Sequence, residues 1–266
     1  MLLTIDCGNT NIVFALYKDI NKSEPIVWRC QTNRKKTADE YASWLSPLLT
    51  HNDVKFTDIK DILVASVVPD VNFNLTRLCE KYIGMAAEFI NPDGTNVGVA
   101  VNLPSPVKVG ADQLVNAAAA ISKYGAPCVV IDFGTATTFD IVNEHGEFIG
   151  GVIAPGVNLS VEALYNAAAL LPKIKIERPN KIIGQNTIEA MQTGLYWGYV
   201  SMIEGIANRV IDEMGVKPTF IATGGLSNLF HEAMPIIDHV DMHLTIEGLR
   251  LIHARNKQNK SIQSVA

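Results

Sequence analysis

An acidic residue and a glycine interrupt two strand-like pairs at equivalent places in the two halves of the chain. Near the N-terminus, an apolar run leads into Asp6 and Gly8, and a second apolar run begins at Asn11. The segment VVIDFGTATTFDIV repeats this layout with Asp132 and Gly134. Each loop alone is also consistent with a hairpin whose polar side chains only bond the turn backbone. Two copies in equivalent places indicate a duplicated unit with a shared function.

Apolar runs around both loops predict two α/β halves. The first half has the order βββαβαβ, with Thr37 capping its first helix, and the second half opens with three more strands. The predicted strands are 2–7, 11–17, 26–32, 62–68, 87–90, 127–132, 137–142, 147–153 and 219–225, and the other predicted helices are 70–82, 110–125, 157–169, 187–213 and 245–256. We predict domains at 1–118 and 119–266, with a ligand cleft between them.

Composition narrows the class of protein. The chain has 266 residues, 48% of them hydrophobic, so it can bury full cores without disulfide staples. Its net charge of −5 argues against binding to nucleic acid or to an anionic membrane surface. There is no apolar run of membrane-spanning length and no signal-peptide pattern, and the four cysteines are widely spaced, as buried thiols in a reducing compartment would be. These features predict a cytoplasmic protein.

The chemistry of the two loops favours phosphate as their ligand. A tight turn exposes backbone N–H groups, and glycine lets that backbone approach an anion closely. Uncharged donors follow in both loops: Asn9, Thr10 and Asn11 in the first, and Thr135, Thr137 and Thr138 in the second. Carboxylates would repel phosphate unless a cation lies between them, so the loop aspartates are candidate ligands for metal ions.

A diglycine follows the last predicted strand. Gly224 and Gly225 could admit a nucleobase or ribose against bare backbone, and a tight strand-to-helix turn would explain them as well. The fingerprints of P-loop and Rossmann nucleotide sites do not occur in the sequence.

Taken together, these motifs resemble the actin-like ATPase superfamily, which includes sugar and acetate kinases. Within it the chain is similar to the type III pantothenate kinase family, through TIDCGNTN, VGADQLVNA, IDFGTATTFD, GGVIAPG and NTIEAMQTGLYWGYV in the family's order. The resemblance runs from the N-terminus to about residue 250. It implies duplicated actin-like, ribonuclease H-like α/β domains, each a mixed five-stranded sheet with flanking helices, and a cleft between them.

The resemblance also implies an activity, which is transfer of the ATP γ-phosphate to the primary hydroxyl of pantothenate in the first step of coenzyme A synthesis. Asp112 matches the general base, and Asp132 matches a ligand of a monovalent cation, K⁺ or NH₄⁺, with Mg²⁺ accompanying ATP. Family members are homodimers. The matched ATP-binding residues are Asp6, Cys7, Gly8, Asn9, Thr10, Asn11, Ile12, Val13 and Thr135, and the matched substrate-binding residues are Gly110, Ala111, Asp112, Gln113 and Thr187.

The role of Asp112 makes chemical sense independently of the resemblance. A carboxylate within hydrogen-bonding reach can orient an alcohol and take its proton, which typically contributes about 10²- to 10⁴-fold to the rate. Asp112 also lies at the start of a predicted helix, so the alternative is an acid that only complements the helix dipole.

The chain departs from the family pattern beside this aspartate. Gln113 stands where the family has arginine, and Leu103 stands where many relatives have tyrosine, although Pro106 matches a family proline. A neutral amide replaces a cationic fork at a site for an anionic substrate. Two alternatives therefore remain beside pantothenate kinase: a kinase for another small hydroxy acid or sugar, and a non-catalytic accessory or regulatory protein on the same fold.

Overall fold

The computed structural model describes residues 1–22, 24–91, 97–104 and 109–263, and these residues form two compact units. Unit 1 is discontinuous, because it combines Met1–Ala119 with Leu244–Ala266, and unit 2 is the intervening Ala120–His243. No helix in the described part of the chain is both long enough and apolar enough to cross a membrane.

Unit 1 is built on a mixed sheet with strand order β3-β2-β1-β4-β5. β1 runs antiparallel to β2 and parallel to β4, so the carboxyl ends of β1 and β4 lie side by side at Cys7 and Ser66. The elements of this unit are β1 (Leu2–Cys7), β2 (Asn11–Tyr17), β3 (Ile26–Gln31), α1 (Ala38–His51), β4 (Asp61–Ser66), α2 (Pro69–Leu78), β5 (Glu88–Phe89), β6 (Ala100–Val101), α3 (Ala111–Tyr124, which continues into unit 2) and α7 (Leu244–Gln263).

Local sequence explains where the first helix of unit 1 begins. The Thr37 hydroxyl accepts the Glu40 N–H, and the Glu40 carboxylate accepts the Thr37 N–H, which completes a capping box. The buried side of α1, including Tyr41 and Leu45, then packs against Phe14 and its neighbours on one face of the sheet. This packing holds the loops at the carboxyl end of β1 on a rigid base.

The last helix, α7, is hydrogen-bonded to residues near the start of the chain. The Arg250 guanidinium forms a bidentate ion pair with the buried Glu247 and donates to the Ile20 carbonyl at 2.5 Å. The Tyr17 hydroxyl donates to the Ile246 carbonyl at 3.3 Å. Gly248 lies so close to α3 that a Cβ there would be 2.5 Å from the Val115 carbonyl oxygen. The C-terminal helix therefore completes unit 1.

Unit 2 repeats the three-stranded meander of unit 1 and, like unit 1, continues its sheet with parallel strands. Its strands lie in the order β11-β10-β7-β8-β9, with β7–β8 and β8–β9 antiparallel and β7–β10 and β10–β11 parallel. The elements are β7 (Cys128–Phe133), β8 (Ala136–Val142), β9 (Glu147–Pro155), α4 (Val157–Ala167), α5 (Thr187–Met214), β10 (Thr219–Thr223), α6 (Ser227–Phe230) and β11 (His239–Val240).

The long helix α5 has clear start and stop signals. The Asn186 side chain accepts the Glu189 N–H at the N-terminus, and Gly215 ends the helix in the left-handed region at φ 67°. Its buried residues, among them Tyr196 and Ile203, pack with Phe133 and Phe230 in the core of unit 2. This core supports the turn that follows β7.

The predicted α/β architecture is confirmed, since each unit has a mixed sheet flanked by helices. The final helix extends beyond the predicted 245–256 to Gln263, and the two-residue strand β11 was not predicted. The predicted domain division between residues 118 and 119 stays a prediction.

Candidate functional site

The first acidic loop is a tight β-hairpin turn in unit 1. Cys7 lies opposite Ile12 in the β1–β2 ladder, and the Gly8 N–H donates to the Asn11 carbonyl at 3.0 Å. Asn9 and Thr10 form the exposed tip between these residues. The structure therefore presents backbone and short polar side chains to solvent at this turn, as a phosphate site requires.

The side chains of this loop divide into two groups. Cys7 and Ile12 are fully buried on the core side, so only their backbone faces the loop. Burial raises the pKa of the Cys7 thiol to about 11, with a hydrogen bond to Ser66 opposing this effect, and the thiol stays protonated at neutral pH. Asp6 is half-buried at the end of β1, whereas Asn9 and Asn11 are exposed. Polar side-chain contacts with a ligand can therefore come from Asp6, Asn9 and Asn11.

The predicted substrate motif forms the N-terminus of α3, also in unit 1. The Gln113 side-chain oxygen accepts the Gly110 N–H at 3.2 Å, and the Asp112 carboxylate accepts the Gln113 N–H at 2.8 Å. A Cβ at Gly110 would lie 2.5 Å from Asp112 Oδ1. Gly110 thus precedes the helix, with Gln113 in the position from which a glutamine or glutamate closes a capping box.

The carboxyl group of Asp112 has the electrostatic environment of a proton acceptor. Burial raises its pKa, and the hydrogen bond from the Gln113 N–H partly opposes that increase. A raised pKa lies closer to neutral pH, and a carboxylate with a higher pKa is a stronger base. Burial raises the pKa whether Asp112 acts as a base or only complements the helix dipole, so the assignment of the base stays a prediction.

The second acidic loop is the β7–β8 turn of unit 2. The Gly134 N–H donates to the Ala136 carbonyl at 3.2 Å, and Gly134 and Thr135 are exposed. Thr135 is therefore exposed at this turn, and the nucleotide contact that the family resemblance implies for it stays a prediction. Thr137 is not a loop donor as expected, because it lies within β8, is fully buried and hydrogen-bonds to the Tyr199 hydroxyl.

Two glycines from later in the chain lie in close contact with this turn. Gly224 has φ 88°, and a Cβ there would lie 2.4 Å from Asp132 Oδ1 and 2.7 Å from the Phe133 nitrogen. A Cβ at Gly156 would lie 2.2 Å from the Thr135 carbonyl oxygen. Gly224 therefore serves the tight turn rather than an open ligand face. The neighbouring Gly225 has nothing within 4 Å of its Cβ position and keeps the open face.

Sequence reasoning did not assign Gly156 a role. The motif GGVIAPG contains it, but its close contact with residues some twenty positions earlier depends on the β8–β9 pairing. The signal was the isolated glycine after a strand and before α4, which marks a close backbone approach.

Asp132 has surroundings suited to an oxygen-ligated cation. Its carboxylate lies beside the bare Cα of Gly224, next to the exposed backbone of Gly134 and Thr135. The pKa of Tyr199 is raised by burial and further by the negative charge of Asp132. Within the described ranges there is no cluster of three or more His, Cys, Asp or Glu side chains that could hold a metal ion.

Thr187 lies on unit 2 beside an apolar groove. It is exposed in the first turn of α5, and the groove of about 500 Å³ that it lines is otherwise formed by apolar residues such as Leu164, Met191 and Leu195. The predicted site residues thus fall into four groups: the β1–β2 turn and the α3 N-terminus in unit 1, and the β7–β8 turn and the α5 N-terminus in unit 2. Leu103 is half-buried in the described segment 97–104, and Pro106 lies outside the described residues.

Comparison with known proteins decides the family. The sequence model described as type III pantothenate kinase matches residues 2–209. This chain belongs to the type III pantothenate kinase family. A type III pantothenate kinase of Paramagnetospirillum magneticum is 48% identical over 96% of this chain and 98% of its own, and one of Rhodospirillum rubrum is 49% identical over 97% and 99%.

Solved structures support the same fold for this type III pantothenate kinase family member. The activator of the 2-hydroxyisocaproyl-CoA dehydratase from Clostridium difficile, with bound ADPNP, superimposes with a TM-score of 0.58 at 11% identity, covering 100% of this chain and 98% of the activator. At this identity the likeness concerns the fold alone, and it confirms the predicted actin-like ATPase architecture.

Proposed function

We propose that this chain catalyses the ATP-dependent phosphorylation of pantothenate to 4'-phosphopantothenate, the first step of coenzyme A synthesis. The observation that carries the proposal is the full-length similarity to proteins named type III pantothenate kinase, at 45–49% identity. The buried carboxylate of Asp112 at the start of α3 supports it chemically.

ATP binding is assigned to the two acidic turns. The β1–β2 turn, residues Asp6 to Val13, offers backbone N–H groups and the short side chains of Asn9, Thr10 and Asn11 to phosphate oxygens. Thr135 in the β7–β8 turn is a further candidate contact with the nucleotide. Cys7 and Ile12 contribute through their backbone, because their side chains are buried.

Asp112 is proposed as the general base. The primary hydroxyl of pantothenate attacks the γ-phosphorus, the bond from that phosphorus to the β–γ bridging oxygen breaks, and ADP leaves. The hydroxyl proton passes to the Asp112 carboxylate as the new P–O bond forms. The hydrogen bond from the Gln113 N–H holds this carboxylate in one orientation during the transfer.

Cations complete the charge balance of the transfer. Asp132 is the proposed ligand of a monovalent cation, K⁺ or NH₄⁺, because its carboxylate lies beside exposed backbone at Gly134 and Thr135. A bound cation offsets negative charge on the phosphates, and Mg²⁺ enters with ATP. Dependence of turnover on KCl or NH₄Cl at constant ionic strength tests this assignment.

The pantothenate contacts are proposed at the α3 N-terminus and at Thr187. Gly110 lies against the Asp112 carboxylate, and the Gln113 N–H donates to that carboxylate. Ala111 stands between Gly110 and Asp112 in the sequence, and Thr187 lines the apolar groove of unit 2. Gln113 supplies a neutral amide at the position where the family motif has the cationic guanidinium of arginine. We therefore expect Gln113 to bind the substrate carboxylate less strongly than arginine does.

The decisive experiment is a coupled assay of pantothenate-dependent ADP release with an Asp112→Asn variant. Loss of the base should lower kcat by about 10²- to 10⁴-fold. Asp70→Asn is the matched control, because Asp70 is an exposed acid in the first turn of α2. It should leave kcat within about twofold, as surface changes of this kind do.

The assay also separates the alternatives. ATP binding without pantothenate-dependent ADP release would favour the accessory or regulatory protein, and release with a different hydroxy acid or sugar would favour another kinase. Equal activity of Asp112→Asn and wild type would refute the assignment of the base.

A homodimer in the cytoplasm is the proposed state of the protein. Unit 2 exposes large apolar side chains, among them Ile153, Leu159, Leu170 and Ile183. Such a surface is typical of a protein–protein interface. The four cysteines are free thiols, as expected in a reducing compartment. Light scattering coupled to size exclusion tests the dimer.

A further inference from the structure

Thr32, just beyond the end of β3, makes two hydrogen bonds to the β1–β2 turn. Its N–H donates to the Thr10 carbonyl at 2.9 Å, and its hydroxyl donates to the Gly8 carbonyl at 2.6 Å. These two carbonyls flank the exposed tip at Asn9. A single residue from a neighbouring strand therefore bonds the backbone on both sides of the tip.

These two contacts also fix the directions of two N–H groups, because each carbonyl shares a planar peptide with the N–H group of the next residue. In a planar trans peptide the C=O and the N–H point in opposite directions. The Gly8 carbonyl shares its peptide with the Asn9 N–H, so drawing that carbonyl toward Thr32 directs the Asn9 N–H to the other side. The Thr10 carbonyl is held in the same way and fixes the peptide that carries the Asn11 N–H.

This orientation matters for an anion. A carbonyl oxygen that faced a phosphate would repel it, whereas an N–H donor attracts it. A two-residue tip between strands can rotate its peptide planes, and the hydroxyl of Thr32 is a side-chain contact that opposes rotation of the Gly8–Asn9 peptide. The short distance of 2.6 Å indicates a well-formed O–H···O hydrogen bond.

We propose that Thr32 is a positioning residue for the ATP phosphates, acting through the peptide orientation of the β1–β2 turn without touching the nucleotide. The inference rests on the proposed function of that turn as a phosphate site. The N–H bond of Thr32 to Thr10 continues the β2–β3 pairing beyond Asn11 and Gln31. Thr32 is only half-buried and belongs to none of the motifs that identified the site, so neither core packing nor strand pairing accounts for the hydroxyl bond to Gly8.

The test compares Thr32→Val with Thr32→Ser in steady-state kinetics. Valine keeps the shape and the backbone N–H bond to Thr10 but removes the hydroxyl, and serine keeps the hydroxyl. Loss of one such bond should raise KM for ATP about fivefold to tenfold. KM for pantothenate should stay within about twofold in both variants, and Thr32→Ser should resemble wild type. The matched control is Thr50→Val, which removes an exposed hydroxyl bonded to the Ser46 carbonyl.

The outcomes separate this inference from the proposed function. If wild type neither binds nor uses ATP, the proposed function fails on the wild-type result alone. If wild type uses ATP and Thr32→Val has the same KM for ATP, the positioning role is refuted. Equal increases of both KM values, or loss of folding in Thr32→Val while Thr32→Ser is normal, would show a general structural role and would also overturn the inference.

Discussion

At the scale of single residues, Gln113 makes two hydrogen bonds at the start of α3. Its side-chain oxygen accepts the Gly110 N–H, and its own N–H donates to the Asp112 carboxylate. Arginine has five donors and no acceptor, so the residue typical of the family could not make the first bond. The departure from the family pattern therefore has a structural consequence at the helix start as well as an electrostatic one.

Replacing Gln113 should separate these two effects. Gln113→Arg should lower the free energy of unfolding by about 0.5–1.5 kcal/mol through the lost acceptor, and lower KM for pantothenate through charge-assisted binding of its carboxylate. Gln113→Glu is the matched control, because it keeps the acceptor and should preserve stability while raising KM by like-charge repulsion. Urea unfolding and steady-state kinetics measure both. Equal stability of the arginine and glutamate variants would contradict the capping role.

The raised pKa of Asp112 makes a prediction about pH. Because burial raises this pKa above its ordinary value of 3.8, the base becomes protonated at a higher pH than an exposed aspartate would. The value of kcat/KM for pantothenate should therefore fall as pH decreases through the raised pKa and be constant above it. A pH profile at saturating ATP shows the midpoint. An acidic limb centred at or below pH 3.8 would contradict the burial effect.

At the scale of elements, the turn after β7 depends on strand β10 beside it. The two strands run parallel, with Thr223 opposite Asp132, so the residue after β10 necessarily arrives next to the Asp132 carboxylate. That residue is Gly224, which has a positive φ and no space for a Cβ. The proposed cation site is thus shaped by two turns at the same end of one sheet.

Gly224→Ala should disrupt this arrangement, whereas Gly225→Ala should not. A methyl group at Gly224 would lie 2.4 Å from Asp132 Oδ1 and would also be strained at φ 88°. We expect a loss of about 1–3 kcal/mol in stability and weaker activation by K⁺ or NH₄⁺. At Gly225 the Cβ position is open, so that variant is the matched control. Thermal unfolding and cation titration decide, and identical behaviour of the two alanine variants would refute the explanation.

Local elements were predictable from the sequence because their signals are local. The strands before and after Asp6 are short apolar runs that end at polar turn residues, and Thr37 with Glu40 marks the start of α1. Long-range proximity was not predictable in the same way. The burial of Thr137 depends on Tyr199 from a distant helix, and the role of Gly156 depends on which backbone lies against it. Spacing along a chain does not encode such contacts.

At the scale of the whole molecule, the chain returns to unit 1 at its end. Buried residues of α7, including Leu249 and Ile252, complete a unit whose sheet is made entirely from the first ninety or so residues. The sequence predicted a helix at 245–256 and included it in the domain predicted at 119–266, and the elements nearest to it in sequence belong to unit 2.

Ending the chain at His243 should therefore damage unit 1 selectively. Removal of α7 deletes the Arg250 contact with the Ile20 carbonyl and the Ile246 acceptor of Tyr17. Hydrogen exchange followed by mass spectrometry should show lost protection in β1 and β2. The β7–β8 strands of the same truncated protein serve as the internal control and should keep their protection. Unchanged exchange in β1 and β2 would contradict the dependence of unit 1 on α7.

Because the chain is synthesised from the N- to the C-terminus, this connectivity also sets the order in which the segments of the two units are made. On the ribosome, every residue of unit 2 has been made when His243 is added, whereas unit 1 still lacks its final helix, although its sheet strands were translated first. Domains generally fold as their segments emerge. The half of the protein that begins earliest therefore waits longest for a helix that packs against its strands β1 and β4.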